Sequence, residues 1–252
     1  MHSIVAASAW TPRAIAGLVA WHEILSDSDY TFGVDPLVSA LADRAGVSGS
    51  QSQATGANQA SYSASIAGLN STRGMVYDGA RYYDGANAFD LSQGLTVIRA
   101  LRITSLAAGN YPGIFRLAKA AGTGGGGADG IVSYTGNGGA IVVGSPNATT
   151  WWKQTANSVV VANTAYILSV TVTSGGAVTL RKNGASVSFA SSSGSVVLPD
   201  ANSSKLFLGR GWNSTSLLVG EDGGAIVVAR ALDATELLTA ERYLAARRGI
   251  TI

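Results

Sequence analysis

Cysteine is absent from the 252-residue sequence, and histidine occurs only at His2 and His22. Without cysteine the chain has no disulfide framework and no thiolate metal site. Two histidines near the N terminus are too few, and too local, for a Ser-His-Asp triad or a histidine metal cluster. We therefore assign the sequence no metal and no cofactor.

Charged side chains are also scarce, at 13% of residues with a net charge of +2. No basic block marks a nucleic-acid-binding surface. No apolar run approaches the roughly 20 residues that cross a bilayer. Pro12 and Arg13 interrupt the apolar residues at the start, where a secretory signal needs a continuous run. We expect a soluble protein that has no nucleic-acid partner, does not insert into membranes and is not exported by the ordinary route.

Glycine is plentiful instead, with 32 residues that lie mostly between short apolar runs. Such runs, at a spacing of roughly 8–12 residues, are typical of a β-sandwich rather than of a parallel sheet with helical crossovers. The chain length suits one large domain. We predict an all-β fold in which two antiparallel layers stack on each other.

The clearest pattern lies between Tyr166 and Phe189. Apolar and polar residues alternate from Leu168 to Val172, as in a strand with one buried face. Gly175-Gly176 turns the chain into a second alternating run. Asn183-Gly184, which takes positive φ readily, then turns it into a third run that carries Val187 and Phe189. We predict three antiparallel strands joined by two tight turns.

The remaining elements follow from local signals. Thr11-Pro12 predicts a short helix, and the polar stretch 26–72 predicts a long covering loop. Asp233 and Glu236 form an Asp-x-x-Glu capping box for a helix over 233–248 that packs its leucines on the sandwich edge. Short strands are predicted throughout the intervening chain, among them Ser158–Val161, Leu217–Val219 and Ala225–Val228. Residues 1–16 are assigned to an arm or short helix, and residues 17–252 to a single sandwich domain.

Three segments carry a family resemblance. Residues 165–211 resemble the central strands of concanavalin A-like lectin/glucanase domains of the laminin-G-like kind, with their Asn-Gly turn and later L-x-L-G strand. Residues 224–250 look like the end of many such domains in bacterial and bacteriophage proteins, where a last strand leads into an R-A-L-(S/D)-x-x-E helix. The opening segments GLVAW, ADRAG and MVYDG fit as well. The resemblance implies a jelly roll and covers most of the chain.

The resemblance leaves function open, because this sandwich hosts lectins, glycanases, lyases and structural modules. Glycanases of this fold carry a Glu-x-Asp-x-x-Glu pattern on one strand, and this sequence has none. Glu23, Asp27 and Asp29 do not match that spacing, and we expect a solvated loop there. We therefore expect a protein that is not an enzyme.

Sugar binding needs aromatic rings for the apolar face of a pyranose, with amides or charged groups nearby for its hydroxyls. Trp151 and Trp152 are adjacent, so on a strand their side chains point in opposite directions and one of them can be core. Asp78, Asp84, Asp90 and Asp129 are possible calcium ligands, but their spacing forms no cage. The candidate carbohydrate-binding residues are Trp151, Trp152, Asn147, Trp212, Asn213, Tyr111 and Tyr134.

The composition and the resemblance together favour a bacteriophage structural protein, displayed on the virion surface as a decoration, spike or fibre component. Its expected partners are other virion proteins, further copies of itself in a homo-oligomer, and cell-surface polysaccharide. Two alternatives stay open: a decoration subunit of capsid or tail without a sugar site, and a glycan-cleaving enzyme of the same fold.

Overall fold

Strands make up most of the regular structure. The computed structural model describes residues 10–85, 88, 90–106, 112–119, 130–145, 151–198, 204–211 and 216–252. The elements are Leu18–His22 (β1), Tyr30–Val34 (β2), Leu37–Leu41 (β3), Gln51–Ser52 (β4), Ser61–Ile66 (β5), Thr72–Asp78 (β6), Tyr83–Gly85 (β7), Gly94–Ile103 (β8), Gly113–Lys119 (β9), Gly130–Thr135 (β10), Ile141–Gly144 (β11), Trp152–Thr155 (β12), Thr164–Thr173 (β13), Val178–Lys182 (β14), Ala185–Val187 (β15), Phe189–Ser193 (β16), Ser204–Leu208 (β17), Val219–Val228 (β18) and the helix Ala234–Arg248 (α1).

The strand pairing forms two antiparallel layers. In the first, called the helix-side sheet, β15, β14, β13, β8 and β18 are neighbours in that order, and β18 borders both β1 and β6, with β5 beyond β6. In the second sheet the order is β16, β12, β11, β10, β9, β17, β7, β4, β3 and β2. A single pairing between β3 and β5 joins the layers at one edge. The predicted all-β sandwich is confirmed.

The main core lies between the two sheets. Alternate residues of the long strand β8, such as Leu95, Val97 and Leu101, point into it and are buried. Phe115 and Leu206 meet them from the second sheet. At roughly 25 cal/mol per Å² of apolar surface removed from water, this interface is the main source of stability of the sandwich.

One charged pair lies inside this core. Arg99 of β8 points inward between apolar neighbours, and its Nη2 donates to Asp222 Oδ2 at 2.7 Å. Its Nη1 donates to the carbonyl oxygen of Ile114 on the opposite sheet. Asp222 also accepts from the amide of Gly224 at 2.9 Å. The pair therefore connects the two layers through hydrogen bonds where the surrounding contacts are apolar.

The C-terminal helix begins and ends where the sequence predicts. Asp233 accepts hydrogen bonds from the amides of Thr235 and Glu236, both at 2.9 Å, and Gly249 closes the helix with φ of 63°. Leu237 and Leu244 are buried against outward-facing residues of the helix-side sheet. The helix thus packs on the outer face of that sheet, and the prediction that it packs on the sandwich edge is wrong. The reason is that Ile98, Ala100 and Ile226 make that outer face apolar.

Several strand predictions are corrected. Residues 26–72, predicted as a covering loop, contain β2 to β5. The predicted strand at Ser158–Val161 is absent there, since those residues form turns and irregular backbone. The third predicted strand divides after Val187, because Phe189 begins β16, which pairs with β12 of the second sheet.

Leu217–Val219 and Ala225–Val228, predicted as two strands, are largely one: Val219 to Val228 forms the continuous β18. A register shift between Asp222 and Gly224 lets this strand continue. Gly224 has φ of 145°, and a Cβ there would lie 3.1 Å from the carbonyl oxygen of His22.

A short helical turn at Pro12–Ala14 precedes β1, as Thr11-Pro12 predicts. Whether residues 1–9 form an arm lies outside the described residues, so the division of the chain at residue 17 stays a prediction. Within the described part, no helix has the length and apolar character required to cross a membrane.

Candidate functional site

The two adjacent tryptophans have different environments. Trp151 is 1% exposed and belongs to the core between the sheets, so its ring offers no face to a ligand. Trp152, the first residue of β12, is half-buried on the opposite, outer face of the second sheet. The alternation expected from the sequence therefore holds, and it places Trp152 on the outer face.

Trp152 has two apolar neighbours on that face. It packs against Tyr134 of β10 and Val142 of β11, which form a small cluster separate from the core. Val142 faces outward because Ile141 and Val143, on either side of it, face the core. Two of the predicted sugar-binding residues, Trp152 and Tyr134, thus meet on this face, where Tyr134 is buried at 7% exposure and Trp152 is the more exposed ring.

A row of side chains runs across the strands beside this cluster. Cross-strand pairing places Asp84 beside Phe207, and Phe207 beside Arg116. The row continues through β10 to Gly144, which lies beside Trp152. Residues directly opposite each other on neighbouring strands share a face of the sheet. Charged and aromatic side chains therefore alternate along one end of this face, and Trp152 lies towards the other.

The charged end of the row contains more cations than anions. The guanidinium of Arg116 lies 5.8 Å from the ring centroid of Phe207, and that of Arg210 lies 5.7 Å from the same ring and 4.9 Å from the ring of Tyr82. Asp84 is the acidic member. Such cation–π contacts hold a guanidinium over an aromatic face, and here both guanidiniums are buried.

Burial shifts the ionisation of these groups. Loss of hydration lowers the pKa of Arg116 to about 10, and the nearby positive charge of Arg210 acts in the same direction. Burial raises the pKa of Asp84, while attraction to Arg210, Lys205 and Arg116 opposes that change. A site that holds charges at a cost in hydration is a candidate for binding.

The same charged groups have unused hydrogen-bonding capacity. Considering only partners among the described residues, the Nε atoms of Arg116 and Arg210 and one carboxylate oxygen of Asp84 are buried without a hydrogen bond. Buried polar atoms without partners are uncommon in folded proteins. Ligand hydroxyl groups, which both donate and accept, suit this set of donors and acceptors.

Four of the sequence-predicted residues, Tyr111, Asn147, Trp212 and Asn213, lie outside the described residues, and so does Asp129. Their part in a binding site stays a prediction. Arg116 and Phe207 were missed by sequence reasoning, because only the strand register brings them beside Asp84. Across the described part of the chain, no group of three or more His, Cys, Asp or Glu side chains is arranged to hold a metal ion.

A second cluster of charges surrounds Glu23. This residue and Asp29, expected in a solvated loop, are buried at 2% and 4% exposure, so that expectation is wrong for both. Glu23 accepts hydrogen bonds from Arg248 at 2.9 Å, and from Trp21 and Tyr243 at 3.2 Å each. Burial raises the pKa of the Glu23 carboxyl, and the neighbouring arginines counteract the rise. The carboxylate thereby joins the end of α1 to β1.

Three solved structures share this architecture. Domain 4 of AbnA, a GH43 extracellular arabinanase from Geobacillus stearothermophilus, solved in complex with arabinotriose, matches with a TM-score of 0.59 and 15% identity over 89% of this chain and 98% of that chain. The binding domain of Paraclostridial Mosquitocidal Protein 1 matches with a TM-score of 0.60 and 14% identity over 92% and 52%. Trypanosoma rangeli sialidase in complex with sialic acid matches with a TM-score of 0.56 and 12% identity over 94% and 34%.

These likenesses show the fold, which agrees with the concanavalin A-like sandwich that the sequence resembles, and they bring no link to bacteriophage. The chain spans about a third of the length of the sialidase. No family model matches the sequence, and no curated protein matches it.

The comparisons also correct one expectation. From the missing Glu-x-Asp-x-x-Glu pattern we expected a protein that is not an enzyme, and that expectation is contradicted. The similar structures include a sialidase and a domain of an arabinanase alongside a binding domain. The lack of one glycanase motif is therefore no ground for excluding catalysis in a chain of this fold.

Proposed function

We propose that this chain binds carbohydrate on the outer face of the second sheet. The observation that carries the proposal is the row that joins Trp152 to Arg116, Phe207 and Asp84, with buried polar atoms that lack partners among the described residues. Aromatic rings cover the apolar face of a sugar, and charged groups pair with its hydroxyls. The arabinotriose complex of a domain with the same fold supports this class of ligand.

The position of the face adds a second reason. Helix α1 covers the outer face of the helix-side sheet, whereas Trp152 remains partly exposed on the outer face of the second sheet, beside the buried Arg116 and Phe207. The predicted residues Tyr111, Asn147, Trp212 and Asn213 fall in segments that adjoin β9, β11 and β17 in sequence. We propose that they also take part in binding the sugar.

A glycan array followed by calorimetry tests the proposal. Trp152→Ala removes the half-buried ring and is expected to weaken oligosaccharide binding about tenfold, which corresponds to about 1.4 kcal/mol. Trp10→Ala is the matched control, because Trp10 packs against the helix-side cluster on the other face. Equal affinity of the Trp152 variant and the wild type would overturn the site.

We also propose, from the sequence resemblance, that the chain is a surface component of a bacteriophage particle. Further copies and other virion proteins would be its partners, and several weak sugar sites on one particle would act together through avidity. Mass spectrometry of purified particles tests this directly, since a virion component is present at a fixed copy number and a contaminant is not.

The same preparations separate the two alternatives. A decoration subunit without a sugar site gives no response on a broad array of bacterial polysaccharides. A glycan-cleaving enzyme releases new reducing ends from the polysaccharide that it binds, and Asp84→Asn then lowers that release if the row takes part in it.

A further inference from the structure

A pocket of about 420 Å³ opens beside the C-terminal end of α1. Its charged lining consists of Glu23, Arg73, Arg247 and Arg248, and Leu25 and Thr72 add apolar and hydroxyl surface. The pocket is formed by the end of the helix, the residues after β1 and the start of β6. It is separate from the row on the second sheet.

Arginine outnumbers carboxylate in this pocket. Arg248 pairs with Glu23 at 2.9 Å and also donates to Thr72 Oγ1 at 2.6 Å, so its role is partly to hold the helix in place. Arg73 pairs with the exposed Asp27 at 2.6 Å. Among the described residues, the carboxylate nearest to Arg247 is Glu23 at 3.8 Å, and the Arg247 side chain is 42% exposed. Of the three arginines in the pocket, Arg247 therefore has the most distant described counter-ion.

Arg248 makes the close bond to Glu23, whereas the guanidinium of Arg247 lines the pocket and lies 3.8 Å from Glu23 and 4.8 Å from the ring centroid of Tyr243. A guanidinium presents paired N–H donors that match a carboxylate. The pocket therefore has the charge and the donors for an anionic group.

Three aromatic rings lie beyond Arg73, outside the residues that line the pocket. Tyr30 and Tyr62 stack with ring centroids 4.6 Å apart, and Phe32 lies edge-on to both at 5.0 and 6.0 Å. Phe32 is 38% exposed. Asp27 connects the rings to the pocket, since its Oδ1 accepts from Tyr30 at 3.2 Å and from Arg73 at 2.6 Å. The aromatic group is therefore connected to Arg73 through Asp27, and Phe32 is its exposed ring.

We propose that this pocket binds the carboxylate of an acidic sugar, with Arg247 as its main partner, and that the next sugar of the chain lies against Phe32. A uronic acid oligosaccharide has both features, because each sugar unit carries a carboxylate and the neighbouring unit offers an apolar ring face. The site does not depend on Trp152, so it stands or falls separately from the proposed site on the second sheet.

The test uses NMR and calorimetric titration of the full chain with tri-galacturonate and with a hyaluronan tetrasaccharide. At least one is expected to bind, with shifts at the pocket residues. The methyl ester of the oligosaccharide that binds keeps the shape of the sugar and removes the charge of its carboxylate, and it is expected to bind about tenfold more weakly. Inorganic phosphate is expected to compete poorly, because it lacks the sugar ring.

The variants locate the site. Arg247→Gln is expected to weaken binding about tenfold, and Phe32→Ala by a smaller factor of about three to ten. Arg242→Gln is the matched control, an exposed arginine of the same helix outside the pocket. Trp152→Ala is expected to leave this binding unchanged.

Three results would overturn the proposal: no binding of either oligosaccharide, equal binding of acid and ester, or an Arg247 variant that binds like the Arg242 variant. Phosphate that saturates the same shifts at the concentration of the sugar would also overturn it, since the pocket would then recognise charge alone.

Discussion

Replacing Asp222 by asparagine tests how the core tolerates its charged pair. Arg99 is 0% exposed and Asp222 is 4% exposed, and their hydrogen bond of 2.7 Å lies between the sheets. The substitution keeps the size of the side chain and removes its charge. Arg99 would then remain positively charged in an apolar setting with only neutral acceptors, such as the carbonyl oxygen of Ile114, among its described partners.

The expected cost is large. Breaking a buried ion pair from one side costs about 3–5 kcal/mol, because the remaining charge has lost its hydration without compensation. With a urea dependence of about 2–3 kcal/mol per molar for a chain of this size, the unfolding midpoint is expected to fall by about 1–2 M. Glu221 provides the matched control, since it pairs with Arg102 at 2.5 Å in a partly exposed position. Glu221→Gln should cost about 1 kcal/mol at most.

Urea unfolding followed by tryptophan fluorescence measures both variants. The double variant Arg99→Met, Asp222→Leu removes both charges and is expected to recover most of the lost stability, as apolar replacements of buried pairs often do. An Asp222→Asn midpoint no lower than that of Glu221→Gln would refute the reasoning. The pair would then be hydrated or otherwise compensated, and the core would be less apolar than its lining indicates.

Three further predictions concern stability. His22 is 1% exposed, its Nδ1 lies 2.9 Å from the carbonyl oxygen of Ala42, and burial lowers its pKa below 6.5. The folded state then binds fewer protons than the unfolded state, so the free energy of unfolding should fall as pH decreases from 6.5 towards the pKa of the folded state. In a series of urea midpoints measured against pH, His22→Gln should make that part of the curve flatter. Asp233→Ala removes two cap hydrogen bonds and should cost about 1 kcal/mol by thermal unfolding. Leu244→Ala should cost about 2–5 kcal/mol in the same assay, whereas the exposed Ala246→Ser, two residues away on the same helix, should change little.

Elements with local signals were the ones that sequence reasoning placed well. The turns at Gly175-Gly176 and Asn183-Gly184 depend on backbone conformation within a few residues, and Gly176, Asn183 and Gly184 all have positive φ in the structure. The capping box at Asp233 is equally local. In contrast, β5 contains mostly small or polar residues, and its apolar periodicity is weak. In β2 apolar residues do alternate, at Tyr30, Phe32 and Val34, but the strand is mostly exposed and was passed over within a polar stretch. Their pairing with neighbouring strands comes from tertiary contacts.

The candidate sites show the same division. Alternation along a strand separates Trp151 from Trp152 but does not say which of them faces the core, since that depends on the sheet to which the strand belongs. Arg116 and Asp84 are distant in sequence and meet only through the register of β17. Arg247 and Arg248 look, in the sequence, like cations placed to favour the end of a helix. Their role around Glu23 follows from where that helix packs.

The position of Ile252 has a practical consequence. Ile252, like Trp10, packs against the cluster beneath α1. A tag, linker or fusion partner attached at Ile252 would therefore extend from the side of the molecule that carries α1. Immobilisation through a group attached at Ile252 should consequently leave the face with Trp152 exposed to the solution. A biosensor should therefore use that attachment, and attachment through the face that carries Trp152 should block binding.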